Sequence, residues 1–268
     1  MDKKYIIYFP TRNTASTIEK TYRLIPDHIK NRSAFIVVDN ASSDNSVEVA
    51  EHLGLKVIRH ETDRGYGGSN KTAFNYARTI NADILVVLHS DCQYDPTIMD
   101  QVLEPMLKGN ADAVFGSRIL GKKALLGGMP WWKYLSNRFL TWLENRALHA
   151  HLSEYHSGYR IYSMNMLKHI PYELDSNDWI FDSEIIFQIL HLGFTVREEM
   201  IGEVVTSVAA EFAPERTYAE EWDWDGITEA MTEITGHELV DGDVRAVENP
   251  FELADVLTAK VIALYEAK

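Results

Sequence analysis

The sequence predicts an α/β protein on a mostly parallel, doubly wound sheet, and three observations predict it. Short runs rich in Val, Ile and Leu recur through the first 115 residues. Stretches of helical periodicity separate them. Acidic and amide side chains stand just past several of the runs, where an open α/β sheet binds its ligand. Strand alternating with helix is the pattern of parallel crossover units.

In chain order, strands are expected at Tyr5–Phe9, Ala34–Val38, Leu55–Ile58, Ile84–Leu88 and Ala113–Phe115. Helices are expected at Ser16–Ile29, Ser46–Leu53, Gly67–Ile80 and Pro96–Leu107. Ser43 and Asp44 are candidate caps, and Asp95-Pro96 sets a cap residue before a first-turn proline. After Gly116 the pattern loosens, and GKKALLGGMP reads as a glycine-rich loop. Trp132, Leu135, Phe139, Leu143 and Leu148 then recur at helical spacing. A further helix is expected from about Asp182 to Gly193, a C-terminal stop. Beyond Ala213-Pro214 the chain turns acidic. There Ile227, Met231 and Ile234 share a helical face, and Asn249-Pro250 opens a last helix to about Tyr265. The expected organisation is one domain over 1–210 and a small acidic helical appendage over 211–268.

Composition narrows the function. A hydrophobic content of 46% supports a buried core. The single cysteine, Cys92, excludes an internal disulfide and fits a reducing compartment. The opening MDKKYIIYFP runs straight into a strand, and no apolar run reaches the roughly 18 residues of a membrane span. A cytoplasmic protein is expected. Of the net charge of −14, residues 211–268 supply most, with 15 acidic and 4 basic side chains. Such a balance excludes general nucleic-acid binding, which needs a basic surface. The tail reads as a hydrated segment, a partner-binding module or a self-association element.

The segment LHSDCQYDP, directly after the fourth apolar run, is the most informative. Asp91 and Gln93 supply hard oxygen ligands that suit Mg²⁺ or Mn²⁺, with His89 as a third ligand or a supporting partner. Asp39 closes the second run, where a carboxylate accepts hydrogen bonds from a base or ribose, or else caps a turn. DRGYGGSNK combines glycines with Arg64 and Lys71 before a helix, which reads as a phosphate-facing loop or a plain helix cap. Arg118 in GSR and Arg160 in HSGYR carry forks that match phosphate, with surface ion pairing as the alternative. Asp178, Asp182 and Glu184 in NDWIFDSE offer a general base or a helix cap, capping being the simpler reading of Asp182.

Taken in order, these motifs resemble the family-two glycosyltransferases of the dolichyl-phosphate mannosyltransferase-like and bacterial polyprenyl-phosphate group. FPTRN, VVDNASSDNS, DRGYGGSNKTAFNYA, LHSDCQYDP, GSR, GGMPWWKYLSNRFLT, HSGYRIYS and NDWIFDSEII follow the family's sequence over roughly residues 4–200. The resemblance implies a GT-A-type nucleotide-binding fold and inverting transfer from a UDP- or GDP-linked sugar. It places Pro10, Asn13, Asp39 and Ser90 at the nucleotide with Arg64 and Lys71 nearby, and Asp91 and Gln93 at the metal. Arg118, Arg138, Ser157 and Arg160 would face donor or acceptor phosphates.

Three departures stand out. His89-Ser90-Asp91 replaces an Asp-x-Asp, Asp63 replaces the Asn of an Asn-Arg-Gly turn, and the family's continuation is missing after about residue 205.

A polyprenyl phosphate acceptor is expected, because a phosphomonoester with a second pKa near roughly 6 is already ionised and needs little base. A hydroxyl acceptor would call on Asp182 or Asp178. Trp131, Trp132 and the helix after them would rest on the inner membrane face, with Lys133, Arg138 and Arg146 at headgroups, or pack on the sheet. Two alternatives stay open: a soluble transferase acting on a saccharide or protein, and a non-catalytic nucleotide-sugar binder with a degraded metal site. A sugar nucleotidyltransferase is disfavoured, since FPTRNTAST lacks the glycine-rich loop it needs.

Overall fold

The computed structural model describes residues 4–120 and 131–201, with backbone alone at 131–133. Seven strands form one sheet: β1 (Tyr5–Thr11), β2 (Ser33–Asn40), β3 (Lys56–His60), β4 (Ile84–Val87), β5 (Ala113–Ser117), β6 (Arg160–Ser163) and β7 (Val196–Met200). Their order is β3-β2-β1-β4-β6-β5-β7. Every pairing is parallel except those of β6, which runs antiparallel to both β4 and β5. The direction of connection reverses beside β1, between β2 and β4, so a crevice opens at the carboxyl ends of those strands.

Alternating side chains feed two apolar layers. Ile6, Tyr8, Val38, Leu85 and Val87 face one layer with α4 (Gly65–Thr79), α7 (Met164–Leu167) and α8 (Phe181–His191). Tyr5, Ile7, Phe9, Val37, Ile84 and Val86 face the other with α1 (Ile18–Leu24), α2 (Asp27–Lys30), α3 (Ser46–His52) and α5 (Met99–Leu107). The eighth described helix is α6 (Trp131–Leu148).

The expected α/β class and the five expected strands are present. The helix expected over Ser16–Ile29 is instead two, because Pro26 drives Ile25 to an extended ψ of 133°. α4 begins two residues early, at Gly65. Two strands escaped the sequence reading. β6 is only four residues long, and the polar β7 (VREEM) lies at the sheet edge with no buried face. The loop at 121–130 and the acidic appendage expected over 211–268 lie outside the described residues.

Candidate active site

Short polar side chains build one side of the crevice. Asn13, at φ 55°, accepts from the Ser43 backbone N–H (2.8 Å), and its own N–H donates to the Ser42 hydroxyl (2.9 Å). Thr14 N–H donates to Ser46 Oγ at 2.7 Å. These bonds zip the loop after β1 to the loop after β2. Asp39 is wholly buried; its carboxylate accepts from Ser42 N–H at 3.3 Å and pairs with Arg59 Nε at 3.5 Å. Beside it opens a cavity of about 500 Å³ lined by Ala41, Ser42, Arg59, His60 and Glu61. Arg64 is exposed, and burial together with its charge keeps the His60 imidazole below its usual pKa.

Ser90 is a staple. Its hydroxyl meets Thr11 Oγ1 (3.1 Å) and Thr14 Oγ1 (3.0 Å) and donates to the Pro10 carbonyl (3.2 Å). Ser90 thus fixes the peptide after β4 against the end of β1 and places Asp91 next to Asn13's loop. Asp91 is half-buried, and its Oδ1 accepts from Gln93 N–H at 3.0 Å in a tight turn. Gln93 itself is exposed.

His89 behaves differently from a ligand. Its Nε2 is buried without a hydrogen-bond partner and packs on Gly158, where any Cβ would collide with the ring. Tyr66 and Tyr94 flank it at 5.7 and 5.5 Å. Burial, with Arg160 and Arg118 nearby, lowers its pKa against the pull of Asp91, which disfavours the charged ring. The metal-ligand role expected of His89 is therefore not offered by Nε2, which is walled in by Gly158.

Arg160 also departs from expectation. It is 1% exposed and is held by four hydrogen bonds and an ion pair. Nε donates to Ser157 O (2.7 Å), one terminal nitrogen to the Tyr162 hydroxyl (3.5 Å) and Asp182 O (3.3 Å), and the other to Tyr155 O (2.6 Å), while it pairs ionically with Asp182 Oδ2 at 3.0 Å. Buried and bonded within the protein, Arg160 is a framework residue. Asp182 shares that fate. Burial raises its pKa to about 6, with Arg160 and a hydrogen bond from Tyr66 pulling the other way. It lies inside the first turn of α8, and the expected cap is not there: Ile180 is the cap residue and caps with no side chain. Asp178 is the residue that receives the Ile180 N–H, at 3.1 Å.

Arg118 pairs with the buried Glu154, which also accepts from the Arg118 backbone N–H (2.8 Å) and from Asn137 Nδ2 on α6 (3.0 Å). Ser157 is buried at the turn before β6, and Arg138 is half-buried on α6 next to Asn137. Lys71 does not reach toward the crevice; its ammonium bonds to the Asp175 carbonyl and to Asn177 Oδ1 (2.8 Å). The structure thus gathers Pro10, Asn13, Asp39, Ser90 and Asp91 at one edge. Arg118, Ser157, Arg160 and Asp182 lie on the β5–β6 side. Glu154 and Tyr66 were not singled out from sequence. A carboxylate three residues before Ser157, in SEYHSGYR, was the available signal for Glu154.

A glycosyl transferase family 2 model matches residues 6–170. The chain belongs to glycosyl transferase family 2. An uncharacterized protein of Methanocaldococcus jannaschii is 30% identical over 174 residues, 64% of this chain and 70% of its own length. The UDP-N-acetylglucosamine–dolichyl-phosphate N-acetylglucosaminyltransferase of Methanococcus voltae is 27% identical, covering 65% of this chain and 74% of that one. Among solved structures, Mycobacterium tuberculosis glucosyl-3-phosphoglycerate synthase with Mn²⁺, UDP and phosphoglyceric acid superposes with a TM-score of 0.57. It is 17% identical, covering 75% of this chain and 69% of that one, and the likeness is one of fold. The family gives the reaction class, transfer of a sugar from a nucleotide sugar on a GT-A-type fold.

No cluster of three His, Cys, Asp or Glu side chains able to hold a metal occurs among the described residues. No described helix is long and apolar enough to cross a membrane.

Proposed function

We propose that this family 2 enzyme transfers a hexose with inversion from a UDP- or GDP-linked donor to a polyprenyl phosphate, using Mg²⁺ or Mn²⁺ held at Asp91 and Gln93. The observation that carries the reading is the shared edge: Asp39 beside its cavity and Asp91 past β4 stand at the same carboxyl ends of the sheet. Asp39 and Asn13 receive the nucleoside, and Arg64 lies at the mouth toward its phosphates. A bound divalent ion would neutralise the diphosphate as it departs. The acceptor's phosphate oxygen attacks the anomeric carbon from the face opposite the leaving group. The bond to the diphosphate oxygen breaks, and its electron pair leaves on the nucleoside diphosphate. Because the acceptor is already ionised, no side chain has to take a proton, which agrees with the sealed position of Asp182. Arg118 and Ser157 border the acceptor side. The Methanococcus relative, whose name specifies a dolichyl-phosphate acceptor, supports the choice of acceptor.

Calorimetric titration of UDP and GDP, with and without Mn²⁺, tests the donor half. One nucleotide is expected to bind with metal dependence, and Asp91→Ala is expected to abolish that dependence. Binding that ignores both metal and mutation would sink the reading in favour of a non-catalytic nucleotide-sugar binder.

A further inference from the structure

The glycine-rich head of α4 serves as a seat for another loop. Gly65 sits at φ +75°, and a Cβ there would collide with the Asn177 backbone; at Gly67 it would collide with Ser176 O and Phe181. Gly68 N–H donates to Asn177 O at 3.1 Å, and Lys71 holds both the Asp175 carbonyl and Asn177 Oδ1. Loop 175–180 is thus pressed onto the helix at several points. Its tip is stiffened by Asp178 Oδ1, which accepts from Ile180 N–H (3.1 Å) and Ser176 Oγ (2.8 Å).

The loop holds two large apolar side chains in water: Trp179 is 72% and Ile180 60% exposed. Scattered exposed apolar residues need no explanation, but a fixed pair does. The inner face of Trp179 stacks on Tyr66, with centroids 4.7 Å apart and planes 12° apart, leaving the other face open. Tyr66 in turn lies against the His89 ring, with centroids 5.7 Å apart. The indole therefore continues the wall of the active site.

We propose that the Trp179–Ile180 platform receives the first isoprene units of the acceptor, beside the phosphate that is glycosylated. The inference rests on the polyprenyl-phosphate reading above. Charge on the same loop selects a single hydrocarbon chain over a bilayer surface. Glu173 and Asp178 stand exposed beside the platform and would repel an anionic leaflet, whereas neutral hydrocarbon lying on the indole feels no such field.

The test compares binding of farnesyl phosphate with that of ethyl phosphate, which keeps the phosphate and lacks the chain, by calorimetry alongside transfer kinetics. Trp179→Ala is expected to weaken farnesyl phosphate about tenfold and to raise its KM in step, as loss of a stacked aromatic face would. Ethyl phosphate and nucleotide affinities should hold within about twofold, which also shows that the variant is folded. Trp179→Phe should recover most of the loss, and Phe187→Ala, an exposed apolar site farther along α8, should cause none. Equal losses for both phosphates, or no loss for farnesyl phosphate, would overturn the platform. So would a defect seen only with phosphatidylglycerol vesicles. If the wild type binds farnesyl phosphate through Trp179 yet glycosylates none of it, the acceptor reading fails and the platform stands. If it binds farnesyl phosphate no better than ethyl phosphate, the platform fails whatever the acceptor is.

Discussion

Around Asn13, Thr14 and Ser90, the crevice is assembled from hydroxyls, amides and backbone N–H groups of loops that follow neighbouring strands. Around Arg160 and Arg118, the opposite side is assembled from buried guanidinium–carboxylate pairs. The first arrangement is many modest bonds, each replaceable. The second is a few ion pairs, each of which leaves a desolvated charge behind if it is broken. The two sides therefore respond differently to mutation and to pH.

The largest effect is expected at Glu154. It is buried and satisfies Arg118 through both backbone and side chain, together with Asn137 on α6. Glu154→Ala takes the carboxylate away from a guanidinium that is itself mostly buried. Removing one partner of such a pair costs about 3–5 kcal/mol, and urea unfolding should show a loss of that size. A loss below about 1 kcal/mol would mean that the pair behaves like a surface bridge, and the contrast between the two sides would collapse.

A pH profile sharpens the same contrast. The Asp182 pKa is raised from its ordinary 3.8 to about 6 in the folded protein by burial, only partly offset by Arg160 and Tyr66. The native state thus holds that proton more tightly than the unfolded chain does. The resulting stabilisation is complete below the unfolded value and is lost as pH rises through about 6. Asp182→Asn keeps the shape and does not titrate. Relative to that variant, the wild type should lose stability between about pH 4 and pH 6, with a slope of at most about 1.4 kcal/mol per pH unit. Asp175, likewise raised to about 6 by burial and by Glu184, is present in both proteins and cancels in the comparison. A difference that stays flat across the window would show that Asp182 is ionised as readily folded as unfolded.

The same division explains what the sequence discloses. β1, β2 and β4 carry apolar runs, and the polar residues that matter stand at their carboxyl ends or within four positions beyond them. On the other side, local appearance misleads. Arg160 and Asp182 look like exposed functional charges in their motifs, yet they neutralise each other across 22 residues and consume each other's capacity. Lys71 and the glycines of DRGYGGSNK resemble a phosphate cradle but spend their contacts on a loop more than 100 residues later. Trp179 gave no signal as a single aromatic, because its meaning comes from the Tyr66 ring beneath it. β7 alternates too weakly to be read, since an edge strand has no buried face to impose a period.

The smallest of these effects is expected at Ser90, on the hydrogen-bonded side. Its hydroxyl is wholly buried and touches three oxygens, which by burial alone puts its removal on a level with the loss of a charge. The partners argue otherwise. Thr11 Oγ1 already has a second acceptor in the Phe9 carbonyl at 3.3 Å, and all the groups involved are neutral. Ser90→Ala removes one small oxygen without changing backbone geometry, so the net cost should be about 1 kcal/mol, the usual worth of a neutral bond. Urea midpoints at constant m-value would measure it. A loss of about 3 kcal/mol or more would show that the Thr11–Ser90–Thr14 set acts as a cooperative unit. The donor side would then be held as rigidly as the charged side, by hydroxyls in place of ions.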